Sequence, residues 1–367
     1  MSTSKKLSIA YYVSAHGYGH GVRSCDIIRA LNRLYPEIDI HIVTGLPREF
    51  LRNRINSDKN AIRLLSLDVG MVQKDSVRVD VAETLKRLER FCDRREGLIS
   101  EETAFLKENG IRLVITDIPY IPIHAASQVD IPAVAIGNFG WDWIYSAFIE
   151  RDSRWETVVE RIRNDYSRAV LLLRLPFSER MSAFSKIEDI PLVASPGRDR
   201  RNSIADLMKC NPEKKWILLS FTTLDWRDRA LDRVENLTDY EFFTVYPLEW
   251  RRRNIHTLHR EAFSFPDIVA SVDAVISKPG FGILSDCVIN DKPLIYVDRT
   301  DFSEFAVLEA AVKQYLKYLH IPSKDLYAGE LKQSIQNIWD RPDACRKLPH
   351  GGDVVAAHRI ARFSGIM

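Results

Sequence analysis

The chain has 367 residues, 46% of them hydrophobic, which is enough for two ordinary domains with a core each. Charged residues make up 28%, but the formal net charge is only +2, so no global field exists to hold nucleic acid and none is expected as a partner. No stretch approaches the roughly 20 apolar residues that cross a bilayer, and Cys25, Cys92, Cys210, Cys287 and Cys345 form no CxxC pair, which points to a reducing cytoplasm without a disulfide framework or zinc site.

In chain order, residues 7–13 form a short apolar run that reads as a buried first strand rather than the core of a signal peptide. Further strand patterns follow at 38–44, 63–67, 113–116, 133–136 and 169–174, with helical patterns at 21–34 and 79–109. Continuous apolar strands separated by helices indicate a parallel sheet covered on both faces. The polar segment 194–202 carries Pro196 and Gly197 and reads as a linker. The rhythm then repeats, with strands at 216–220, 241–245, 274–276 and 293–297 and helices at 227–237, 283–290, 305–317 and 328–339. The expected domains are therefore 1–195, a linker at 196–202, and 203–349, with a helix over 350–367 returning to the first domain. The fold class is α/β, with two doubly wound Rossmann-like domains facing a central cleft where such sheets bind ligands.

Two loops carry the chemistry. The first strand ends in Ser14-Ala15-His16-Gly17-Tyr18-Gly19-His20-Gly21-Val22-Arg23. Its glycines, Gly19 among them, allow a sharp turn and close backbone approach to a ligand. The helix that opens there favours an anion or a developing alkoxide at its N-terminus. An imidazole such as His20 can take a proton from a hydroxyl. The spacing is neither a dinucleotide fingerprint nor a P-loop. The same two histidines, His16 and His20, would also serve as plain turn residues.

The second loop is Ser277-Lys278-Pro279-Gly280-Phe281-Gly282-Ile283-Leu284-Ser285-Asp286. A strand leading through a glycine turn into a helix presents unpaired N–H groups to a diphosphate, and Lys278 adds charge. Asp286 lies one and a half turns into the helix, where a carboxylate could accept both ribose hydroxyls. Downstream, Asp298-Arg299-Thr300-Asp301-Phe302-Ser303-Glu304 offers Asp301 and Glu304 to sugar hydroxyls. The competing reading is that Gly280 and Gly282 only let helix and strand pack. Elsewhere, Trp141, Trp143 and Tyr145 would suit sugar stacking or a packing plug, and Arg251-Arg252-Arg253 a solvated face or a phosphate contact. Asp75, Asp80, Asp225, Asp228, Asp298 and Asp301 make no DxD pair, so no metal site of that kind is expected, and no cofactor.

The blocks HGYGHGVRS, TDIPYIPIHAASQVDIPAVAIGNFGWDWIY and DAVISKPGFGILSDCVINDKPLIYVDRTDFSEFAVLE occur in that order along the chain. With them the sequence resembles the glycosyltransferase-like N-terminal domain of the L-arabinokinases. More distantly it is similar to UDP-glycosyltransferases and the peptidoglycan N-acetylglucosaminyltransferase, all of the two-domain GT-B type. No GHMP-kinase glycine-serine motif follows, so sugar kinase activity is not carried over. The resemblance implies a metal-independent, inverting transfer from a nucleotide-diphosphate sugar, a UDP-sugar being favoured, to a hydroxyl acceptor. It implies His20 as general base and Asp117 as the carboxylate that orients it. Gly280 and Asp286 match the family's glycine and ribose-binding acid, with Asp one methylene short. Arg23 stands where many relatives have proline and could reach a phosphate or anionic acceptor. Phe265 lies where the nucleotide base is held, and Thr222 lies in a segment replacing a glycine-rich loop. Alternatives are a non-catalytic sugar-nucleotide-binding regulator and a nucleotide-sugar epimerase or hydrolase on the same fold.

Overall fold

The computed structural model describes residues 7–55, 59–73, 79–298 and 303–365. Their strands are β1 (Leu7–Val13), β2 (Ile38–Thr44), β3 (Ala61–Leu64), β4 (Ile111–Asp117), β5 (Ala133–Gly137), β6 (Leu171–Arg174), β7 (Ile187–Asp189), β8 (Lys215–Ser220), β9 (Tyr240–Val245), β10 (Ile255–Leu258), β11 (Ala274–Ser277), β12 (Leu294–Val297) and β13 (Tyr318–Ile321). The chain divides into two compact units. Among the described residues, one holds 7–72, 80–194 and 349–365, and the other holds Gln73, Val79 and 195–348.

The first unit contains a seven-stranded sheet in the order β3-β2-β1-β4-β5-β6-β7, and every recorded pairing in it is parallel. Its central strands bury side chains on both faces; Leu113, Val114, Ile115 and Val134 have no exposed surface. That is why they read as unbroken apolar runs rather than alternating ones. The chain leaves β1 for β2 on one side and returns to β4 on the other, so the strand order reverses between β1 and β4. Ligands of open α/β sheets bind at such a reversal, beyond the carboxyl ends of the strands.

Helix Gly352–Ser364 packs on helix Tyr18–Leu34 of the same unit, where the Tyr35 hydroxyl lies 2.6 Å from His358 Nδ1. It is anchored at its start, since Gly352 N donates to Leu192 O at 3.0 Å and a Cβ there would meet Pro191 O at 2.0 Å.

The second unit contains a six-stranded sheet, β10-β9-β8-β11-β12-β13, also parallel in every recorded pairing. Its reversal lies between β8 and β11. The segment after Ala194 is tied down rather than loose. Gly197 N donates to Asn290 Oδ1 at 2.9 Å, Arg198 N to Asp267 Oδ1 at 2.7 Å and Arg200 N to Ser271 Oγ at 2.7 Å, and a Cβ on Gly197 would strike the Pro266 carbonyl.

Several elements differ from the expectation. The helical pattern over 79–109 is two helices, Val81–Asp93 and Arg95–Glu108, and Asp80 caps the first by accepting from Glu83 N. The pattern over 328–339 breaks at Gly329, which has a φ of 72° and separates Ser323–Ala328 from Lys332–Ile338. Strands β7, β10 and β13 have no counterpart in the sequence reading. They are edge or near-edge strands of three or four residues with partly exposed patterns, so they lack a long apolar run.

Candidate active site

The carboxyl end of β1 meets that of β4. Val13 pairs with Asp117, and Ser14 N donates to Asp117 O at 3.1 Å. The chain then turns at Gly17, whose φ of 82° disfavours any side chain. Helix Tyr18–Leu34 opens at once, with no side-chain cap and no acid in its first turn. His20 and Arg23 are three apart on this helix and so share a face. Both point at Asp117.

The contacts are close. His20 Nδ1 lies 2.8 Å from Asp117 Oδ1. Arg23 donates to the same carboxylate through Nε (2.7 Å, to Oδ2) and Nη2 (2.6 Å, to Oδ1), while its Nη1 donates to Asn138 Oδ1 at 2.7 Å. Ser24 Oγ donates to Asp117 Oδ2 at 3.0 Å. Asp117 has no exposed surface, and Arg23 and Asn138 keep only 2% each. Burial alone would raise the Asp117 carboxyl, but the charges and hydrogen bonds of Arg23 and His20 outweigh it and hold it well below the usual carboxylate range. The phosphate or acceptor contact expected of Arg23 is not its place here: its guanidinium is spent on the buried carboxylate and on Asn138.

Around this core, His20 packs edge-on against Phe139 at 5.6 Å and His16 against Trp141 at 5.1 Å. Trp141 Nε1 donates to Asp68 Oδ2 at 3.0 Å, and Tyr145 stacks on Trp141 and donates to Gly70 O at 3.3 Å. Gly70, at φ 67°, leaves room for His16, whose ring a Cβ would strike at 2.3 Å. Trp141 and Tyr145 are fully buried, so neither offers a face to a sugar. They are the packing plug beneath the loop, whereas Trp143 keeps part of its surface. Sequence reasoning missed two residues here. Asp68, whose carboxyl is pushed up by burial, stands near His20 only because of the sheet order; Tyr18 is 46% exposed at the helix start and packs at 5.0 Å from Phe50.

In the second unit, the turn after β11 stands beside the end of β8. Ser277 Oγ donates to Ser220 O at 2.8 Å, which ties the two strands at their reversal. Its hydroxyl also lies 3.1 Å from Lys278 O, so it serves the turn. Gly280 is the cap of helix Phe281–Ile289, with no side-chain cap bond and no acid in the first turn. Its backbone is extended, φ −160° and ψ 152°, and no described atom lies within 4 Å of where a Cβ would stand. Neither strain nor packing therefore explains this glycine. Phe281, Gly282 and Lys278 are partly exposed at the same helix start, and Asp286 is partly exposed one and a half turns on.

Thr222 is exposed after β8, and Phe265 is partly exposed in the first turn of helix Phe265–Ser271, under Arg260 at 5.3 Å. Glu304 opens helix Glu304–Tyr315. Arg299 and Asp301 lie outside the described residues. The basic run is a solvated face: Arg252 pairs with Asp228 and Asp232, and Arg253 with Glu235.

No family model matches the chain. It is 27% identical to L-arabinokinase of Arabidopsis thaliana over 359 residues, which is 97% of this chain and 34% of that protein. The chain thus spans about a third of the length of the curated relative it matches. Among solved structures, it resembles CalG4, the calicheamicin glycosyltransferase, with a TM-score of 0.61 and 13% identity over 98% of this chain and 94% of that one. It likewise resembles Arabidopsis thaliana UGT89C1 in complex with UDP-L-rhamnose, with a TM-score of 0.61 and 12% identity over 98% and 100% of the two chains. No described helix is long and apolar enough to cross a membrane. Two parallel α/β sheets, each with its strand reversal, give this chain the fold of the GT-B glycosyltransferases.

Proposed function

We propose that the chain transfers a sugar, with inversion and without a metal, from a nucleotide-diphosphate donor to a hydroxyl acceptor. The observation that carries this reading is the histidine–aspartate pair at the strand reversal of the first unit. His20 Nε2 has no hydrogen-bond partner among the described residues, so it is available to a substrate hydroxyl. As that proton leaves, the acceptor oxygen attacks the anomeric carbon and the bond to the diphosphate breaks. Asp117 steadies the ring and the charge that forms on it. The second unit's turn at Gly280–Gly282, with Lys278, would meet the charge on the diphosphate leaving group. A UDP-sugar is favoured because UGT89C1, of like fold, is seen with UDP-L-rhamnose. Asp286 would hold the ribose, Phe265 and Thr222 would flank the nucleotide, and Arg299, Asp301 and Glu304 would meet the sugar. His16, Gly19 and Trp143 would line the acceptor side. A cytoplasmic setting fits the cysteines, all five of which are free.

The test is direct. The protein is incubated with UDP- and other nucleotide sugars, with and without a panel of hydroxyl acceptors, in buffer containing a chelator. Acceptor-dependent release of nucleotide diphosphate is expected, undiminished by the chelator. Turnover that needs no acceptor would replace transfer by hydrolysis or epimerisation, and activity restored only by a divalent cation would overturn the metal-free reading.

A further inference from the structure

Three atoms form a tight triangle in the first unit: Asp117 Oδ1, His20 Nδ1 and Arg23 Nη2. The sides are 2.8 Å (Oδ1–Nδ1), 2.6 Å (Oδ1–Nη2) and 2.9 Å (Nδ1–Nη2). Only some proton arrangements are compatible with this. Arg23 always donates. If Nδ1 carries the ring proton, both nitrogens donate to one carboxylate oxygen, which has lone pairs for both. If Nδ1 carries the lone pair instead, it can accept from Arg23 Nη2 at 2.9 Å, but it also faces the carboxylate oxygen at 2.8 Å with no proton between them, unless the carboxyl itself is protonated and donates. The state of Asp117 therefore decides where the imidazole proton sits.

Asp117 has no water to keep it charged, being fully buried on β4. The groups facing it are Arg23, Ser24 and His20 from helix Tyr18–Leu34, Tyr11 from β1 and the second buried carboxyl, Asp68. Of these, Arg23 alone combines a permanent positive charge with two hydrogen bonds to the carboxylate. Its third nitrogen is pinned by Asn138 at 2.7 Å, and Asn138 Nδ2 in turn lies 3.4 Å from Phe177 O. The fork is thus held on both sides.

We propose that Arg23 is the positioning residue of this site: by keeping Asp117 a hydrogen-bond-accepting carboxylate, it fixes the His20 proton on Nδ1 and leaves Nε2 as the lone pair. Without the guanidinium, the buried carboxyl becomes a donor to Nδ1 or surrenders its proton to the ring. In either case Nε2 carries a proton and cannot accept one from an acceptor hydroxyl. The consequence for catalysis rests on the transfer reading above; the location of the proton does not.

The experiment is nitrogen-15 NMR of the histidine rings in the intact protein near neutral pH, with the His20 signals assigned by their loss in His20→Ala. Wild type is expected to show a protonated Nδ1 and a bare Nε2. Arg23→Met is expected to place a proton on Nε2, and Arg23→Lys, which keeps a charge beside the carboxylate, to restore the wild-type pattern. Asp117→Asn, whose amide can donate to Nδ1, should also place the proton on Nε2. A wild-type ring protonated on Nε2, or a folded Arg23→Met or Asp117→Asn protein retaining the wild-type pattern, overturns the proposal. Should Arg23→Met not fold, Arg23→Gln, which keeps an amide donor but no charge beside the carboxylate, is read in the same way, and a wild-type pattern in it overturns the proposal. In the transfer assay, Arg23→Met should lower kcat by about a hundredfold or more while the donor KM moves less than about twofold. If wild type transfers no sugar but the ring protons behave as stated, the transfer reading fails and this inference stands.

Discussion

The first unit contains a second cluster with nearly the same local geometry as the candidate site. Arg95 Nη2 donates to Asp165 Oδ1 at 2.6 Å, His124 Nδ1 lies 2.7 Å from the same oxygen, and Arg95 Nη2 lies 2.9 Å from His124 Nδ1. The two triangles match to about a tenth of an ångström. Their settings differ. Asp117 ends a central strand, beside a strand reversal and a helix that begins at glycine. Arg95, His124 and Asp165 all sit on helices, and the other ring nitrogen of His124 already meets Gln128 Nε2 at 3.2 Å. An Arg–Asp–His triangle is thus a way of burying a carboxylate under hydrogen bonds. What singles out a base is where the triangle stands and whether the far ring nitrogen is open.

The sharpest way to break this comparison is to remove each histidine. His20→Ala should lower single-turnover transfer by about 10²–10⁴-fold while leaving donor affinity nearly intact, since a positioned general base contributes about that much. His124→Ala should leave transfer within about twofold of wild type. Comparable losses in both variants would mean that the first triangle is as structural as the second.

The next effect is on stability, with the roles reversed. Asp165→Ala leaves the Arg95 guanidinium, whose side chain is only 14% exposed and whose Nε already has no partner, with the exposed Glu96 as its one remaining recorded carboxylate partner. Breaking a largely buried pair from one side costs about 3 kcal/mol. Denaturant unfolding of Asp165→Ala should show a loss of that order while transfer per folded molecule is unchanged. A loss below about 0.5 kcal/mol would reduce the cluster to a surface contact.

Acid should expose Asp117 in turn. Its carboxyl is held below its ordinary value, chiefly because Arg23 and His20 outweigh the burial that would raise it. A depressed folded value means that the unfolded chain binds the proton first. The carboxylate's contribution is therefore fully present above about pH 4 and is lost as the pH falls further, an effect of order 2 kcal/mol for one such group. Wild type should lose stability below that point along a limb that Asp117→Asn flattens. Identical limbs in the two proteins would show that the carboxylate is not held in its charged form.

The sequence made the sheets legible because parallel central strands carry apolar runs: 7–13 is buried from Ile9 onward, and 38–44 buries its isoleucines and Val43 while Asp39 and His41 are only partly covered. It drew attention to the first loop because three glycines and two histidines follow a buried strand there, though plain turn residues would read the same way. It could not show that Arg23 turns inward. That depends on helix phase and on β4 lying next to β1, and the two residues are 94 positions apart. Asp68 was hidden for the same reason. The aromatic run 138–145 was ambiguous because Trp and Tyr serve cores and sugar surfaces alike; burial resolved it for Trp141 and Tyr145.

The smallest effect concerns two glycines that look alike in sequence, and it carries the contrast to the other unit, between a glycine required by packing and one proposed to meet a ligand. Gly197 is required by packing, since a Cβ would stand 1.9 Å from Pro266 O. Gly280 has no such neighbour among the described residues, and its extended backbone suits any residue. Its position, capping a helix of nine residues beside the end of β8, suits glycine both as a helix cap and for the diphosphate contact proposed above. Gly280→Val should therefore fold, at a cost of no more than about 1 kcal/mol from the poorer helix cap. Its affinity for a nucleotide diphosphate should still fall about tenfold or more, equivalent to about 1.4 kcal/mol, because the new methyl groups occupy the space the phosphate needs. Calorimetric titration with UDP beside a thermal melt separates the two effects. Unchanged affinity in a folded Gly280→Val protein would place the diphosphate elsewhere, and Gly280 would then be a cap residue with no further role.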